Sequence, residues 1–201
     1  HFYLASTIFL FAQRISGGFY HSLAVCADGS AKSWGNNGQG QLGDNTGVNR
    51  LTPVQVISLT TGVVSISAGY NHSLVRKSDG TVWAWGDNFT YQLGDNTQTD
   101  RYTPVQVLAG ASGCGTYLCN IIAVKGGANH SLALKNDGTV WAWGSNVSGQ
   151  LGDGTSTTTR ISPMQVVAGT SGCGTYLCNI AAIAAGGYHS LALKNDGTVW
   201  S

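Results

Sequence analysis

Histidine is the side chain in this sequence best suited to acid–base chemistry or metal binding, and four of its five copies share one motif. Each of the four is followed by Ser, and they recur at spacings of 51, 58 and 59 residues: His21, His72, His130 and His189. One interpretation is a ring of metal ligands or general bases. A metal ion, however, needs all its ligands within about 2.1 Å, and residues repeated at this spacing belong to separate structural units. We therefore expect these histidines to make structural hydrogen bonds.

The histidines mark an internal repeat. The twelve residues that begin at His130 return unchanged at His189, and looser copies begin at His72 and His21. A period in this range indicates stacked supersecondary units, each of which buries its apolar surface against its neighbours.

The composition favours an all-β fold with many tight turns. Glu is absent, charged residues make up 9% of the 201 residues, and 29 residues are Gly. Gly, Asn, Thr and Ser favour turns and strands over helices. The net charge is +1 and no basic run exists, so nothing indicates nucleic-acid binding through a basic face.

The third repeat shows the expected strands most clearly. Residues 131–135 and 139–143 are predicted strands on either side of an Asp137-Gly138 turn, because Asp-Gly supplies the positive φ of a tight hairpin. Period-2 alternation puts Trp141 and Trp143 on one face. Third and fourth strands are predicted at 162–167 and 180–185. Four short antiparallel strands in series are typical of a propeller blade.

Tryptophans recur at one position of the second strand, as Trp34, Trp85 and Trp143. They could form stacking platforms for sugars or bases. Blades pack face to face, however, so both faces of a sheet need bulky apolar side chains. We expect these tryptophans to pack in the core.

An aspartate recurs in a Gly-Asp-Asn-Thr or Gly-Asp-Gly-Thr loop, as Asp44, Asp95 and Asp153. Calcium loops need several oxygen ligands close together, and that pattern is missing here. Each aspartate is followed six or seven residues later by an arginine: Arg50, Arg101 and Arg160. We expect Asx turns or ion pairs in these loops, with a calcium site as the weaker alternative.

Two identical inserts each contain a pair of cysteines separated by four residues, Cys114 with Cys119 and Cys173 with Cys178. The members of a pair could face each other across a hairpin, at a distance that permits a disulfide. Two small disulfides are the favoured interpretation; free thiols and a metal site are the alternatives. Cys26 stands where the other repeats have Lys, so we expect an unpaired, partly exposed thiol.

Residues 2–12 form an apolar stretch without charge, too short to span a bilayer. They fit the hydrophobic region of a secretory signal, with cleavage after Ala12. This predicts a secreted or cell-surface protein. The alternatives are a strand of an earlier repeat and a cytoplasmic location. No other segment is a candidate membrane span.

The repeated motifs Gly-Gly-x-x-His-Ser-Leu, Asp-Gly-Thr-Val-Trp-Ala-Trp-Gly, Gln-Leu-Gly-Asp and Thr-Pro-Val-Gln-Val occur in a fixed order. From residue 15 to residue 200 the chain resembles a bacterial-type protein of the regulator-of-chromosome-condensation repeat family. That resemblance implies an all-β, seven-bladed β-propeller, of which residues 13–201 hold three full repeats and part of a fourth. We therefore expect a fragment completed by further blades; a self-associating half-propeller is the alternative.

We find no nucleophile elbow, no phosphate-binding loop and no carboxylate pair outside the repeat. The sequence therefore predicts a non-enzymatic binding or adhesion module, without cofactor or metal. Its loops at 36–40, 88–91 and 145–149 would recognise a protein or glycan. The resemblance implies an alternative, nucleotide-exchange regulation of a small GTPase. A third hypothesis makes these repeats the recognition part of a chain with an enzyme or sensor domain elsewhere.

Overall fold

A computed structural model describes residues 14–112, 114–169 and 174–201, and within these residues every regular element is a strand. The predicted signal segment, residues 1–12, lies outside the described residues. The strands, in chain order, are β1 Ile15–Gly17, β2 His21–Val25, β3 Ala31–Gly35, β4 Arg50–Gln55, β5 Val63–Ala68, β6 His72–Lys77, β7 Val82–Gly86, β8 Arg101–Gln106, β9 Ile121–Gly126, β10 His130–Lys135, β11 Val140–Gly144, β12 Arg160–Gln165, β13 Ile180–Ala185, β14 Ser190–Lys194 and β15 Val199–Trp200.

The described strands form three four-stranded antiparallel sheets and one three-stranded sheet, each in chain order: β1–β4, β5–β8, β9–β12 and β13–β15. The first strands of successive sheets, β1, β5, β9 and β13, are neighbours in space. This is the arrangement of consecutive propeller blades around an axis. The prediction of an all-β propeller with three complete blades and part of a fourth is confirmed.

The sequence-based grouping of strands into blades was wrong in one respect. It placed residues 180–185 as the fourth strand of the third blade, whereas β13 is the first strand of the fourth sheet. The reason is the length of the connections. Only residues 186–189 join β13 to β14, so the two form a hairpin. A repeat period fixes the length of the unit but not the point at which a blade begins.

Each blade has two distinct ends. In the first blade, strand β2 begins and strand β3 ends at the same end of the sheet, where His21 pairs with Gly35. We call this end the His face; it contains the turns before each repeated His and the long loops at 36–49, 87–100 and 145–159. The opposite end, the Asp-Gly face, contains the Asp-Gly turns and the connections at 56–62, 107–120 and 166–179.

The core lies between blades. One apolar cluster joins the first and second sheets, from Leu23 to Trp85. A second joins the second and third sheets around Trp143, and a third joins the third and fourth around Leu151. Each blade therefore depends on its neighbour for burial, as in other repeat architectures.

Candidate functional site on the His face

The repeated histidines connect neighbouring blades. His21 Nε2 lies 2.9 Å from Ser73 Oγ, and His72 Nε2 lies 3.0 Å from Ser131 Oγ. The Ser73 hydroxyl donates to the backbone oxygen of Gln41 at 2.8 Å. Because that proton is used, the hydroxyl accepts from the imidazole, and Nε2 must carry the hydrogen. The histidine of one blade thus donates to the serine of the next.

Burial keeps these imidazoles neutral. It lowers the pKa of His21 to about 4 and that of His130 to about 4. The pKa of His72 falls to about 3, through burial first and then the neighbouring His130 and His21. The Nδ1 atoms of all three are buried and have no hydrogen-bond partner within the described residues. A charged imidazole would be unstabilised here, so these groups are poorly suited to proton transfer near neutral pH.

The repeated tryptophans share the acceptor that the serines use. Trp85 Nε1 donates to the backbone oxygen of Gln41 at 2.8 Å, and Trp143 Nε1 donates to that of Gln92 at 2.9 Å. Both indoles are fully buried, whereas Trp34 is only partly buried. Trp85 and Trp143 are therefore packed between blades and are not available for ligand stacking.

A buried asparagine holds each long loop of the His face in shape. Asn88 is fully buried, and its Nδ2 donates to Asp95 Oδ1 at 2.9 Å and to the backbone oxygen of Thr97 at 2.8 Å. Asn37 and Asn146 make the corresponding contacts in the neighbouring blades. The loops are rigid supports for the side chains at their tips.

The repeated aspartates in these loops form ion pairs. Asp44 Oδ2 lies 2.7 Å from Arg50 Nε, and Asp153 Oδ2 lies 2.5 Å from Arg160 Nε. Asp95 pairs with Arg101 at 2.6 Å.

Burial by itself raises the pKa of Asp44, but hydrogen bonds from Thr46, Arg50 and Asn37 together bring it below its ordinary value. Both carboxylate oxygens of Asp44 accept hydrogen bonds from protein donors. Among the residues described, no three or more His, Cys, Asp or Glu side chains lie close enough together to hold a metal ion. The contacts at Asp44 favour the ion pair over calcium.

Exposed aromatic side chains gather on the His face. Phe19 and Tyr70 stack with ring centroids 4.1 Å apart, and Tyr20 lies edge-on to Phe19 at 4.4 Å. Phe19, Tyr20 and Tyr70 come from the turns before the repeated histidines. The described aromatic side chains exposed on this face are Phe19, Tyr20, Tyr70, Phe89, Tyr102 and Tyr188; those on the Asp-Gly face are Tyr117 and Tyr176.

Two carboxylates distinguish the second blade on this face. Asp87 and Asp100 line a pocket of about 670 Å³ together with Phe89 and Tyr102. Burial, and the charge of Asp100, raise the pKa of Asp87. The corresponding residues of the first blade are Asn36 and Asn49, so this acidic pair breaks the repeat.

The described parts of the cysteine inserts lie on the Asp-Gly face, at the opposite end of the blades from Phe19 and Tyr70. The Cα atoms of Cys114 and Cys119 lie 5.6 Å apart, a separation that permits the predicted disulfide, which stays a prediction. Cys173 is outside the described residues, so the second predicted pair stays a prediction. Cys26 is a free, partly buried thiol.

The fold and its inter-blade contacts define a β-propeller assembled from one repeated unit. Models of the regulator of chromosome condensation (RCC1) repeat match residues 28–76, 79–134 and 137–193, and a second RCC1 model matches 13–41, 63–92 and 121–150. The chain belongs to the RCC1 repeat family.

Two curated relatives illustrate the range of the family. The chain is 34% identical over 155 residues to the human probable E3 ubiquitin-protein ligase HERC4, covering 76% of this chain and 14% of that protein. It is 31% identical over 208 residues to Protein pim1 of Schizosaccharomyces pombe, covering 94% and 36%. The chain thus spans well under half the length of either relative.

Solved structures agree on the fold. Yeast RCC1 (Prp20), crystallised bound to Kap60, superimposes with a TM-score of 0.72 at 27% identity, over 92% of this chain and 42% of that one. Human WBSCR16 gives 0.77 at 22% identity, over 92% and 46%. No described residue lies in a helix long and apolar enough to cross a membrane.

The loops that the sequence proposed for recognition all lie at one end of the blades, and their role in recognition stays a proposal; sequence reasoning overlooked the turns beside them. Of the loop residues it proposed, Asn37, Asn88 and Asn146 are fully buried. The exposed Phe19, Tyr20 and Tyr70 were not singled out. The signal was present, because the two positions before each repeated His vary between Phe, Tyr, Asn, Ala and Gly.

Proposed function

We propose that the chain is a non-enzymatic binding scaffold that recognises a protein or a glycan through its His face. The observation that carries the proposal is the gathering of exposed aromatic rings on that face, six against two on the Asp-Gly face among the described residues. Large exposed aromatic side chains on a rigid support are typical of recognition surfaces.

The hydrogen bonding of the repeat supports the non-enzymatic reading. The repeated histidines are neutral and bonded between blades, and the repeated aspartates are paired with arginines. The groups most capable of acid–base chemistry therefore stabilise the fold. The variable groups on this face include the exposed rings of Phe19 and Tyr70, which are suited to contact with a partner.

A matched pair of variants tests the proposal. Phe19→Ala combined with Tyr70→Ala removes the stacked pair from the His face, and Tyr117→Ala with Tyr176→Ala removes two exposed rings from the Asp-Gly face. We expect the first double variant to lose binding on a glycan array, or crosslinking to a purified partner, by at least tenfold. The second should bind as the parent does. Equal losses in the two variants would reject the His face as the binding surface.

The second candidate is nucleotide exchange on a small GTPase. The similarity to yeast RCC1 (Prp20), at 27% identity over 92% of this chain, favours it. Release of fluorescent GDP from a panel of purified small GTPases decides between the two. Acceleration by the parent chain that is absent with the Phe19→Ala/Tyr70→Ala variant would replace the scaffold proposal.

The relative named as an E3 ubiquitin-protein ligase points to a third arrangement. In it, these repeats recognise a target for a catalytic domain elsewhere in a longer protein. Binding of the same target by the isolated repeats and by the longer protein would support this arrangement.

The prediction of the cellular compartment rests on residues 2–12, which lie outside the described residues. Secretion or cell-surface display stays a prediction, and the cytoplasm is the alternative. Fusing residues 1–20 to a reporter that is active only after export separates the two. An inactive fusion would remove residues 2–12 as the basis for predicting export.

A further inference from the structure

The acidic pocket of the His face, about 670 Å³ in volume, lies between the long loops of the first two blades. Gln39 lines it from the first loop, and Asp87 and Phe89 line it from the second. The Tyr102 hydroxyl donates to the backbone oxygen of Gly38 at 3.4 Å, so the tyrosine connects the second blade to the first loop. The pocket is therefore bounded by both loops and belongs to neither blade alone.

Four lining residues of this pocket break the repeat, because the same positions in the neighbouring blades have neither a charge nor an aromatic ring: Asp87, Phe89, Asp100 and Tyr102. Their counterparts in the first blade are, in the same order, Asn36, Gly38, Asn49 and Leu51. Those in the third blade are Ser145, Val147, Thr159 and Ile161. Since the other blades form without these four side chains, their convergence on one pocket indicates a role in recognition.

The negative charges are not needed to hold the loop. Asp87 Oδ2 accepts a hydrogen bond from the Gln92 amide at 2.8 Å, and Asp100 Oδ1 accepts one from a backbone N–H at 2.8 Å. In the first blade Asn36 and Asn49 accept the corresponding hydrogen bonds through neutral amide oxygens. The fold of the loop thus explains the acceptors at these positions but not their charge.

Neither carboxylate forms an ion pair with a basic side chain of the described residues. The arginines of the two loops, Arg50 and Arg101, pair with other aspartates. Burial and the charge of Asp100 both raise the pKa of Asp87, so ionisation of the pair is opposed. A cation bound beside both carboxylates would offset this repulsion.

The lining favours an organic cation over a metal ion. Ca²⁺ takes about six to eight oxygen ligands, whereas this pocket sets two carboxylates beside two aromatic rings. The Phe89 side chain is 75% exposed, so its ring is open to a partner. Aromatic faces attract cations. A guanidinium has only donors to offer to carboxylates, stacks on rings and is more weakly hydrated than an ammonium group.

We propose that this pocket binds an arginine side chain of a protein partner, with its guanidinium beside Asp87 and Asp100 and against the rings of Phe89 and Tyr102. The inference rests on the function proposed above and narrows it, because a guanidinium is a group that proteins carry. The partner is a protein segment that presents arginine to the His face.

Two small probes test this chemistry by amide NMR on the 201-residue chain. N-acetyl-arginine amide carries the guanidinium, and N-acetyl-citrulline amide has nearly the same shape without the charge. We expect the arginine probe to shift the backbone amide signals of Phe89, Thr99 and Asp100, and the citrulline probe to leave them in place. Equal shifts from the two probes, or arginine shifts that fall mainly on other residues, would overturn the proposal.

A matched pair of variants locates the charge. Asp87→Asn combined with Asp100→Asn gives the second loop the amides of the first, so the fold should persist while the dissociation constant for the arginine probe rises by about tenfold or more. Asp28→Asn combined with Asp79→Asn changes the net charge equally by removing two exposed carboxylates from the Asp-Gly face of the same blades. This control should bind the probe as the parent does. Equal weakening in the two variants would mean that net charge, and not the pocket, attracts arginine.

The outcome is separable from that of the function proposed above, because the Phe19→Ala/Tyr70→Ala variant changes no residue that lines this pocket. A loss of partner binding in that variant, without any arginine shift at Phe89, Thr99 and Asp100, would reject the arginine pocket and leave the scaffold function standing. Arginine shifts at the pocket, with partner binding unchanged in that variant, would support the pocket and reject the Phe19–Tyr70 cluster as the binding surface.

Discussion

His72 Nε2 and Ser131 Oγ are 59 residues apart in sequence and 3.0 Å apart in space, across the boundary between the second and third blades. The pair connects the motif of one repeat to the same motif in the next. Equivalent contacts join His21 to Ser73 and His130 to Ser190. In the second and third blades the His-Ser dipeptide is thus used twice, the His toward one neighbour and the Ser toward the other.

Acid should destabilise the protein over a pH window that is set by the pKa values of these histidines. Their pKa values in the folded state, about 3 to 4, lie below the ordinary 6.5. The unfolded chain therefore binds more protons, and stability is complete above pH 6.5 and decreases as the pH falls toward 4. Each buried histidine contributes up to about 1.4 kcal/mol per pH unit. Urea unfolding at pH 7, 6, 5 and 4 measures this slope.

His72→Gln supplies the control for that experiment. Glutamine keeps an N–H donor for Ser131 but does not titrate, so the slope between pH 6.5 and 4 should decrease by about one third. The aspartates whose pKa values are lowered are protonated at a pH below this window. An unchanged slope in His72→Gln would show that His72 does not control acid stability.

Removing one serine should weaken a blade boundary. Ser131→Ala deprives His72 of its acceptor and leaves that buried N–H unsatisfied, so we expect a loss of about 1–3 kcal/mol. Ser22→Ala, at the same position of the first blade, is the matched control and should cost less, because Ser22 is only half-buried. Denaturant unfolding of the two variants provides the comparison, and equal costs would contradict the inter-blade role.

Substituting the repeated tryptophans should reduce the stability of the fold by different amounts in different blades. Trp143→Phe removes a fully buried indole and its hydrogen bond to Gln92, and should destabilise the fold by about 2–4 kcal/mol. Trp34→Phe, at a partly buried position, should cost less than about 1.5 kcal/mol. Thermal unfolding measures both. A larger cost at Trp34 than at Trp143 would contradict the role of Trp143 at the blade boundary.

The loop aspartates should stabilise the fold through ion pairs with arginine and not by binding calcium. Asp95→Asn weakens the pair with Arg101 and should reduce stability by about 1–3 kcal/mol. A chelator should leave the melting temperature of the parent unchanged. A melting temperature that falls with the chelator and recovers with added Ca²⁺ would restore the calcium interpretation.

Reduction of a Cys114–Cys119 disulfide should lower the free energy of unfolding only modestly, because the loop that the bond closes is short. The chain-entropy relation gives about 2 kcal/mol for such a loop. Non-reducing mass spectrometry should find the peptide containing both residues two hydrogens lighter than its reduced form. Two alkylated thiols in protein isolated without reductant would favour the free-thiol alternative.

The first repeat differs from the later ones at two positions that are visible in the sequence, but only the structure explains why the two differences occur together. In the later blades a lysine lies over a tryptophan, with Lys135 Nζ 5.9 Å from the ring centre of Trp141. In the first blade both partners differ, since Cys26 replaces the lysine and Lys32 replaces the tryptophan. The two departures belong to one lost cation–π contact.

The sequence alone determined the strands, the Asp-Gly turns and the family, because these depend on local alternation, turn chemistry and a repeat with fixed motifs. It also favoured the ion pairs of Asp44, Asp95 and Asp153, whose partners lie six or seven residues away. Only the tertiary structure decided which strands share a blade, which loop residues are buried and where Phe19 meets Tyr70. Phe19 and Tyr70, for example, lie in different blades, and their contact is set by the packing of one blade against the next, which no local pattern encodes.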